Sequence, residues 1–314
     1  MKPIITPIEK KVLLGELTKE KFVRNTNYSN NKIYIITHHD SPNIIREIGR
    51  LRELTFRTAG GGTGLDCDLD NFDTDTICYK QLIVWNPENE EIVGGYRFMF
   101  LRDAKKDEKG NLHLSTSHYF HFSEKFLTEF APYTIELGRS FIQPQYQPSE
   151  CNRKGLFSLD NLWDGLGAIS VDNPDIKYFF GKVTMYMDFN RQARDMILYF
   201  LNFFFSDTDK LVQPHHPVSY ETDISKFKTF FTKDMSYKDA YLILNQNVRK
   251  MGENIPPLIN SYMNLSPTMK TFGTSINKEF GNVEETGIMI NISNIYQSKK
   301  ERHIVSYEKK NRFF

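Results

Sequence analysis

Hydrophobic positions along the chain switch between the two-residue rhythm of strands and the three-to-four-residue rhythm of helices. Asn31–Thr37 is a β-branched run that predicts a strand, and Ser41-Pro42 then supplies a helix cap and a first-turn proline. Ile44, Ile45, Ile48, Leu51, Leu54 and Phe56 follow at helical spacing up to about Arg57. Ala59–Gly64 breaks the pattern as a flexible glycine-rich loop, after which an acidic run begins. Gln81–Trp85 and Ile92–Leu101 read as a hairpin about the turn Asn86-Pro87-Glu88-Asn89. Tyr133–Ile142 is another strand, with a bulge predicted at Gly138. Leu156, Leu159, Leu162, Trp163, Leu166 and Ile169 mark a helix, Lys177–Met187 a strand, and Asn190–Phe205 an aromatic helix. A helix near Tyr237–Lys250, a short one opened by Pro256-Pro257, and strands near Met269–Ser275 and Thr286–Asn291 complete the pattern.

The order β–α–β–β–β–α–β–α, with further α and β, predicts a mixed α/β (α+β) domain around a central sheet. Residues 1–31, polar and weakly periodic, predict an N-terminal arm; residues 32–295 form the domain, with 206–254 as a helical insertion. Residues 296–314 form a tail with six basic and two acidic residues. Its local net charge of +4 suits either contact with an acidic partner or anionic headgroups, as a peripheral membrane contact, or a charged disordered terminus.

Among the 314 residues, 39% are hydrophobic and 25% charged, which predicts a folded core. Forty Lys plus Arg against 39 Asp plus Glu argues against a dedicated nucleic-acid binder. Aromatic residues reach 14%, which suits either a large apolar pocket or a big core. The three cysteines form no C-x-x-C pair, as expected of a reducing, cytoplasmic setting without a structural zinc. No signal-peptide pattern opens the chain, and Met196–Phe205, the longest apolar stretch, is far short of the ~20 residues of a membrane span.

Three constellations carry candidate chemistry. Asp66, Asp68, Asp70, Asp73 and Asp75 fall within ten residues with no Lys or Arg among them. An EF-hand fails there, since Asn71 and Ile77 occupy the positions that need glycine and a bidentate acid. Such carboxylates either hold an arginine, bind a cationic amine, or form a solvated loop. Glu136 and Arg139 lie in a strand that reads as buried, where an unpaired charge is costly. Three residues apart, they would point to opposite faces unless the bulge restores one face. They read either as a structural ion pair or as a site with Glu136 as general base. Asn152-Arg153-Lys154-Gly155, before a helix, offers a phosphate-sized anion cradle, although no Walker A pattern is present. His113, His118 and His121 lack metal-ligand spacing, and the aromatic helix reads as plain core or as a ligand tunnel.

Taken in order, Arg52-x-x-x-Phe56, Asp68-x-Asp70-x-Phe72-Asp73, Gly94-Gly95-Tyr96-Arg97 and Glu136-x-x-Arg139 resemble the acyl-homoserine-lactone synthases. They resemble still more the bacterial lipid N-acyltransferases that acylate ornithine or glycine, in which the strand E-L-G-R-S precedes a basic turn and a helix beginning L-W-x-G-L. Phe179-Phe180-Gly181-Lys182-Val183 and Pro256-Pro257-Leu258-Ile259-x-x-Tyr262 extend the likeness, which runs from about residue 44 to residue 292. Two departures stand out. Asp68 replaces a glutamate, and the tryptophan expected after Phe56 in lactone synthases is absent.

The resemblance implies a GNAT-like fold, with a central mixed sheet splayed to admit a phosphopantetheine arm. It implies transfer of a (3-hydroxy)fatty acyl group from acyl carrier protein, or acyl-CoA, to the amino group of an amino acid, glycine before ornithine. No tightly bound cofactor is implied. Glu136 would be the base, directly or through water, Asp70 and Asp73 would hold the ammonium or orient Arg52 and Arg97, and one of those arginines would clamp the acceptor carboxylate. Arg139 would join the catalytic residues, and Phe56 and Asp68 the substrate-binding ones. Asn152, Arg153, Lys154 and Gly155 would hold the arm's phosphate, and the aromatic helix with Phe179 and Phe180 the acyl chain. A lactone-type signal synthase, a CoA-dependent acetyltransferase and a non-catalytic carrier- or membrane-binding protein are the alternatives.

Overall fold

The computed structural model of the chain describes residues 1–147, 155 and 157–311, with the backbone alone in 309–311. Its strands are β1 (Phe22–Asn25), β2 (Lys32–Ile36), β3 (Lys80–Asn86), β4 (Glu91–Phe100), β5 (Phe120–Phe122), β6 (Thr134–Ile142), β7 (Tyr178–Met185), β8 (Val212–Pro214), β9 (Lys270–Asn277) and β10 (Val283–Asn291). The principal helices are α1 (Lys10–Glu16), α2 (Pro42–Thr58), α3 (Asn71–Thr74), α4 (Ser158–Asp172), α5 (Arg191–Phe205), α6 (Ser225–Phe230), α7 (Tyr237–Lys250) and α8 (Pro257–Met263). Eight strands make one sheet in the order β1-β2-β3-β4-β6-β7-β10-β9. Every neighbouring pair is antiparallel except β6 and β7.

Alternation along the strands sorts the core into layers. Leu82 and Val84 face α4 and α5 in the largest apolar cluster, while Ile83 and Trp85 face α2 through Ile44, Ile45, Ile48 and Leu51. The α2 face of the other half of the sheet is covered by residues 101–131, through Leu112, Leu114, Phe120 and Phe126 against Phe180 and Met289. Helix α2 does not take its cap from Ser41, whose hydroxyl donates to Asp40. Glu16 reaches across from α1 instead and accepts from the Asn43 and Ile44 N–H groups at 3.1 and 2.9 Å.

The N-terminal boundary differs from the expectation. Residues 1–31 are no mere arm, because β1 adds an edge strand to the main sheet. It is too short for its alternation to stand out in the sequence. Residues 206–254 carry α6 and α7, and Phe227, Phe231 and Tyr237 of this segment pack on the aromatic side chains of α5. Residues 297–311 are helical turns held to α4 by Arg302 on Asp160, His303 on Asp164 at 2.8 Å and Tyr307 on Asp172. Among the described residues no helix is long and apolar enough to cross a membrane.

One feature positions the site. β6 and β7 pair in parallel from Thr134 and Tyr178 only as far as Leu137 and Gly181. Beyond that point β6 continues along β4 and β7 along β10, so the sheet splits. A Cβ on Gly181 would collide with the Leu137 carbonyl, so the last close pairing before the split requires glycine there.

Candidate active site

Directly over the split, the two covers of the α2 face fail to meet and leave a cavity of about 480 Å³. Its walls come from Thr63–Phe72 on one side, His113–Tyr119 on the other, and Arg97, Gly138, Arg139 and Lys182 from the sheet. Asn277, Glu279 and Phe280 close one end.

The bulge in β6 builds the floor. Gly95 pairs with Phe141 and Arg97 with Gly138, leaving Tyr96 opposite both Arg139 and Ser140. Arg139 takes a left-handed backbone (φ 47°), and the extra residue returns its side chain to the face that Glu136 occupies. There its Nε lies 3.0 Å from Asp68, and its guanidinium stacks 4.4 Å from the Phe280 ring centre.

The acidic run holds arginines. Arg52 donates to Asp73 at 2.6 and 3.2 Å and to the Asp68 carbonyl, and its Nε lies 3.2 Å from the Asp68 carboxylate. Arg97 meets Asp70 at 2.8 Å and Asp73 at 3.2 Å. Gln81 adds a donor to Asp73 at 2.8 Å. The two guanidinium groups hold the buried Asp73 carboxyl far below the usual carboxylate range, against the cost of its burial. Asp75, further out, pairs with Lys105.

Glu136 is fully buried and does not line the cavity. Tyr79 donates to one carboxylate oxygen; the Ser115 hydroxyl at 3.1 Å and the Thr116 N–H at 3.0 Å donate to the other. Burial pushes its carboxyl above the ordinary range, partly offset by those hydrogen bonds. Tyr79 shifts well upward, through burial and then the Glu136 charge, and so stays a donor. Ser115 and Thr116 do line the cavity, and a Cβ on Gly138 would lie 3.9 Å from the Ser115 hydroxyl. Ser115 therefore stands between the sealed carboxylate and the open space.

The expected residues separate accordingly. Asp68, Asp70, Arg97 and Arg139 line the cavity together. Arg52 does not: its guanidinium is spent on Asp68 and Asp73 behind the wall, so it is no clamp for a substrate carboxylate. Asp73 is equally occupied and holds arginines, not an ammonium. Phe56 packs edge-on against Phe280 beneath α2, at 5.1 Å between ring centres. Phe179 and Phe180 point to opposite faces of β7, into two separate cores, and line no described cavity. Asn152, Arg153 and Lys154 lie outside the described residues. Gly155 is buried, and a Cβ there would collide with the Tyr146 carbonyl.

Sequence reasoning missed Ser115, Thr116, Tyr119, Lys182, Asn277 and Glu285. Lys182 donates to Glu285, which also accepts from Thr184 at 2.8 Å and Asn277 at 3.1 Å. A lysine and a glutamate within apolar strands carried the same signal that singled out Glu136.

The family described as Acetyltransferase (GNAT) domain matches residues 51–153. A protein of Bacteroides thetaiotaomicron named Glycine N(alpha)-acyltransferase is 57% identical over 307 residues, covering 98% of this chain and 91% of its own. One of the same name from Phocaeicola vulgatus is 56% identical over 309 residues, covering 98% and 94%. Among solved structures, that of the AHL synthase LasI is similar with a TM-score of 0.40 and 14% identity, covering 88% of this chain and 97% of that one.

Proposed function

The chain belongs to the family of these N-acyltransferases, and we propose that it moves a (3-hydroxy)fatty acyl group from the phosphopantetheine thioester of acyl carrier protein to the amino group of glycine, as a step in making an aminolipid. One observation carries this reading: the sheet splits directly beneath a cavity into which a hydroxyl bonded to a buried carboxylate projects. Acyl-CoA offers the same thioester and is the alternative donor.

In this reading the pantetheine arm enters between β6 and β7, and its thioester carbonyl lies over Gly138. An alkyl amine is mostly protonated at pH 7 and must shed a proton to solvent before attack. The neutral nitrogen forms a C–N bond to the carbonyl carbon. Its second proton passes to the Ser115 oxygen as the Ser115 proton moves to Glu136. The C–S bond then breaks, and the leaving sulfur recovers that proton by the same route. No acyl-enzyme is formed, so Cys151 has no part. Asp68 and Asp70 fix Arg139 and Arg97 in the cavity lining. Residues 152–155 would meet the arm's phosphate, and the basic turns packed on α4 would face an acidic carrier protein. We place the enzyme in the cytoplasm, in peripheral contact with the inner membrane that receives its product.

Purified protein incubated with 3-hydroxyacyl carrier protein and glycine, ornithine or S-adenosylmethionine, with products identified by mass spectrometry, tests the reading. N-acylglycine is the expected product. A lactone from S-adenosylmethionine, or no amide with any amine, would overturn it.

A further inference from the structure

The end of the cavity formed by β7, β9 and β10 holds a second charged group that the relay through Ser115 does not use. Lys182 projects into the cavity with its side chain 11% exposed, and it bonds the fully enclosed Glu285 on its far side. Its ammonium also lies 5.0 Å from the Tyr119 ring centre. An ammonium has three donors, so two remain. Arg139, on the neighbouring strand, uses Nε on Asp68 and approaches Asp70 at 3.9 Å through Nη2. Its Nη1 has no partner among the described residues. Two cations from the two diverging strands thus face one space, each with a carboxylate behind it and free donors in front.

Burial lowers the Lys182 pKa, Glu285 opposes that shift, and the Arg139 charge adds to it. The repulsion marks the gap between the two as favourable for an anion. A separate observation points to a ligand there. Asn277 is nearly fully buried, lines this end of the cavity, and its side-chain oxygen has no hydrogen-bond partner among the described residues. Its amide nitrogen is already committed to Glu285. A buried acceptor without a donor is costly unless the occupant of the cavity supplies one.

We infer that Lys182 and Arg139 together seat the carboxylate of the amino acid acceptor, with the Asn277 oxygen beside them accepting from its amine. This assignment rests on the amino-acid N-acyltransferase reading and adds the residues that distinguish an α-amino acid from a simple amine. An anion in this gap has two sources, the acceptor's carboxylate and the donor's phosphate, and kinetics separates them.

The test compares kcat/KM for glycine and for glycinamide, which keeps the amine and lacks the charge, in wild type and Lys182→Gln. The preference for glycine should fall ~10- to 100-fold, the range for loss of a charge-assisted hydrogen bond, through a higher KM for glycine. Lys182→Arg should restore part of it. Should Lys182→Gln not fold, the double variant Lys182→Met with Glu285→Gln removes both charges of the pair and is measured in its place. An unchanged glycine-to-glycinamide ratio overturns the inference, as does a rise in the KM of the acyl donor instead. Wild-type protein that acylates neither amine overturns the functional reading itself, which separates the two failures.

Discussion

Asp73→Ala lowers the free energy of unfolding by about 3–5 kcal/mol, the scale found when one partner is removed from a buried ion pair. The side chain is inaccessible to solvent, and its two oxygens receive Arg52, Arg97 and Gln81. Without it, two arginines that are 1% and 3% exposed keep their charge and lose their shared counterion. Arg52 joins α2 to the acidic loop and Arg97 joins that loop to β4, so the cavity's near wall should loosen with the pair. The carboxyl is held below its ordinary value, so its contribution is fully present above about pH 4, the unfolded carboxylate range, and declines as pH falls toward the folded value. Urea unfolding of the variant should show a lower midpoint and a flatter dependence on pH between about 4 and 2. A loss below 1 kcal/mol would mean that the network is not the keystone described.

Glu136→Gln should leave the fold in place and lower kcat about 10²- to 10⁴-fold, the usual contribution of a positioned acid–base group. The amide keeps an oxygen to receive Ser115 and Thr116, so residues 112–119 remain anchored. It has no carboxylate to accept the relayed proton. Because burial raises the Glu136 pKa, the acid limb of the wild-type kcat profile should sit above the roughly 4.3 of an ordinary glutamate. A merely structural carboxylate would give a different pattern, a lower melting temperature with turnover and its pH profile unchanged.

Charge placed in an apolar setting was the most legible sign of function. Glu136 and Arg139 stood out in β6 for that reason, and Gly138 between them announced the irregularity, which the structure places at Arg139 and Ser140. The same rule applied to β7 and β10 singles out Lys182 and Glu285. Helix α2 was readable from its spacing alone, because Ile44, Ile48 and Leu51 form one buried stripe. Arg52 lies on that stripe, one residue from Leu51 and four from Phe56, and this marks it as an interior residue, not a ligand clamp. Its partners could not be read in the same way, because they come from a loop whose path no periodicity predicts. Ser115 and Thr116 lie in a short turn with no apolar pattern, and only the folded chain brings them against a carboxylate some twenty residues later. The capping of α2 by Glu16 is likewise a tertiary contact, invisible beside the nearer Ser41. Phe179 and Phe180 illustrate the reverse error. Adjacent aromatics in a strand face opposite layers, so a pair of them cannot line one tunnel.

The proton path from the amine through Ser115 to Glu136 is tested most directly by a double-mutant cycle. N-acylglycine formation is followed in single turnovers for Ser115→Ala, Glu136→Gln and the two combined. Members of one relay lose their function together, so the double variant should be no slower than the slower single variant, within about threefold. Losses that multiply, with Ser115→Ala and Glu136→Gln each acting in full on top of the other, would contradict a shared path.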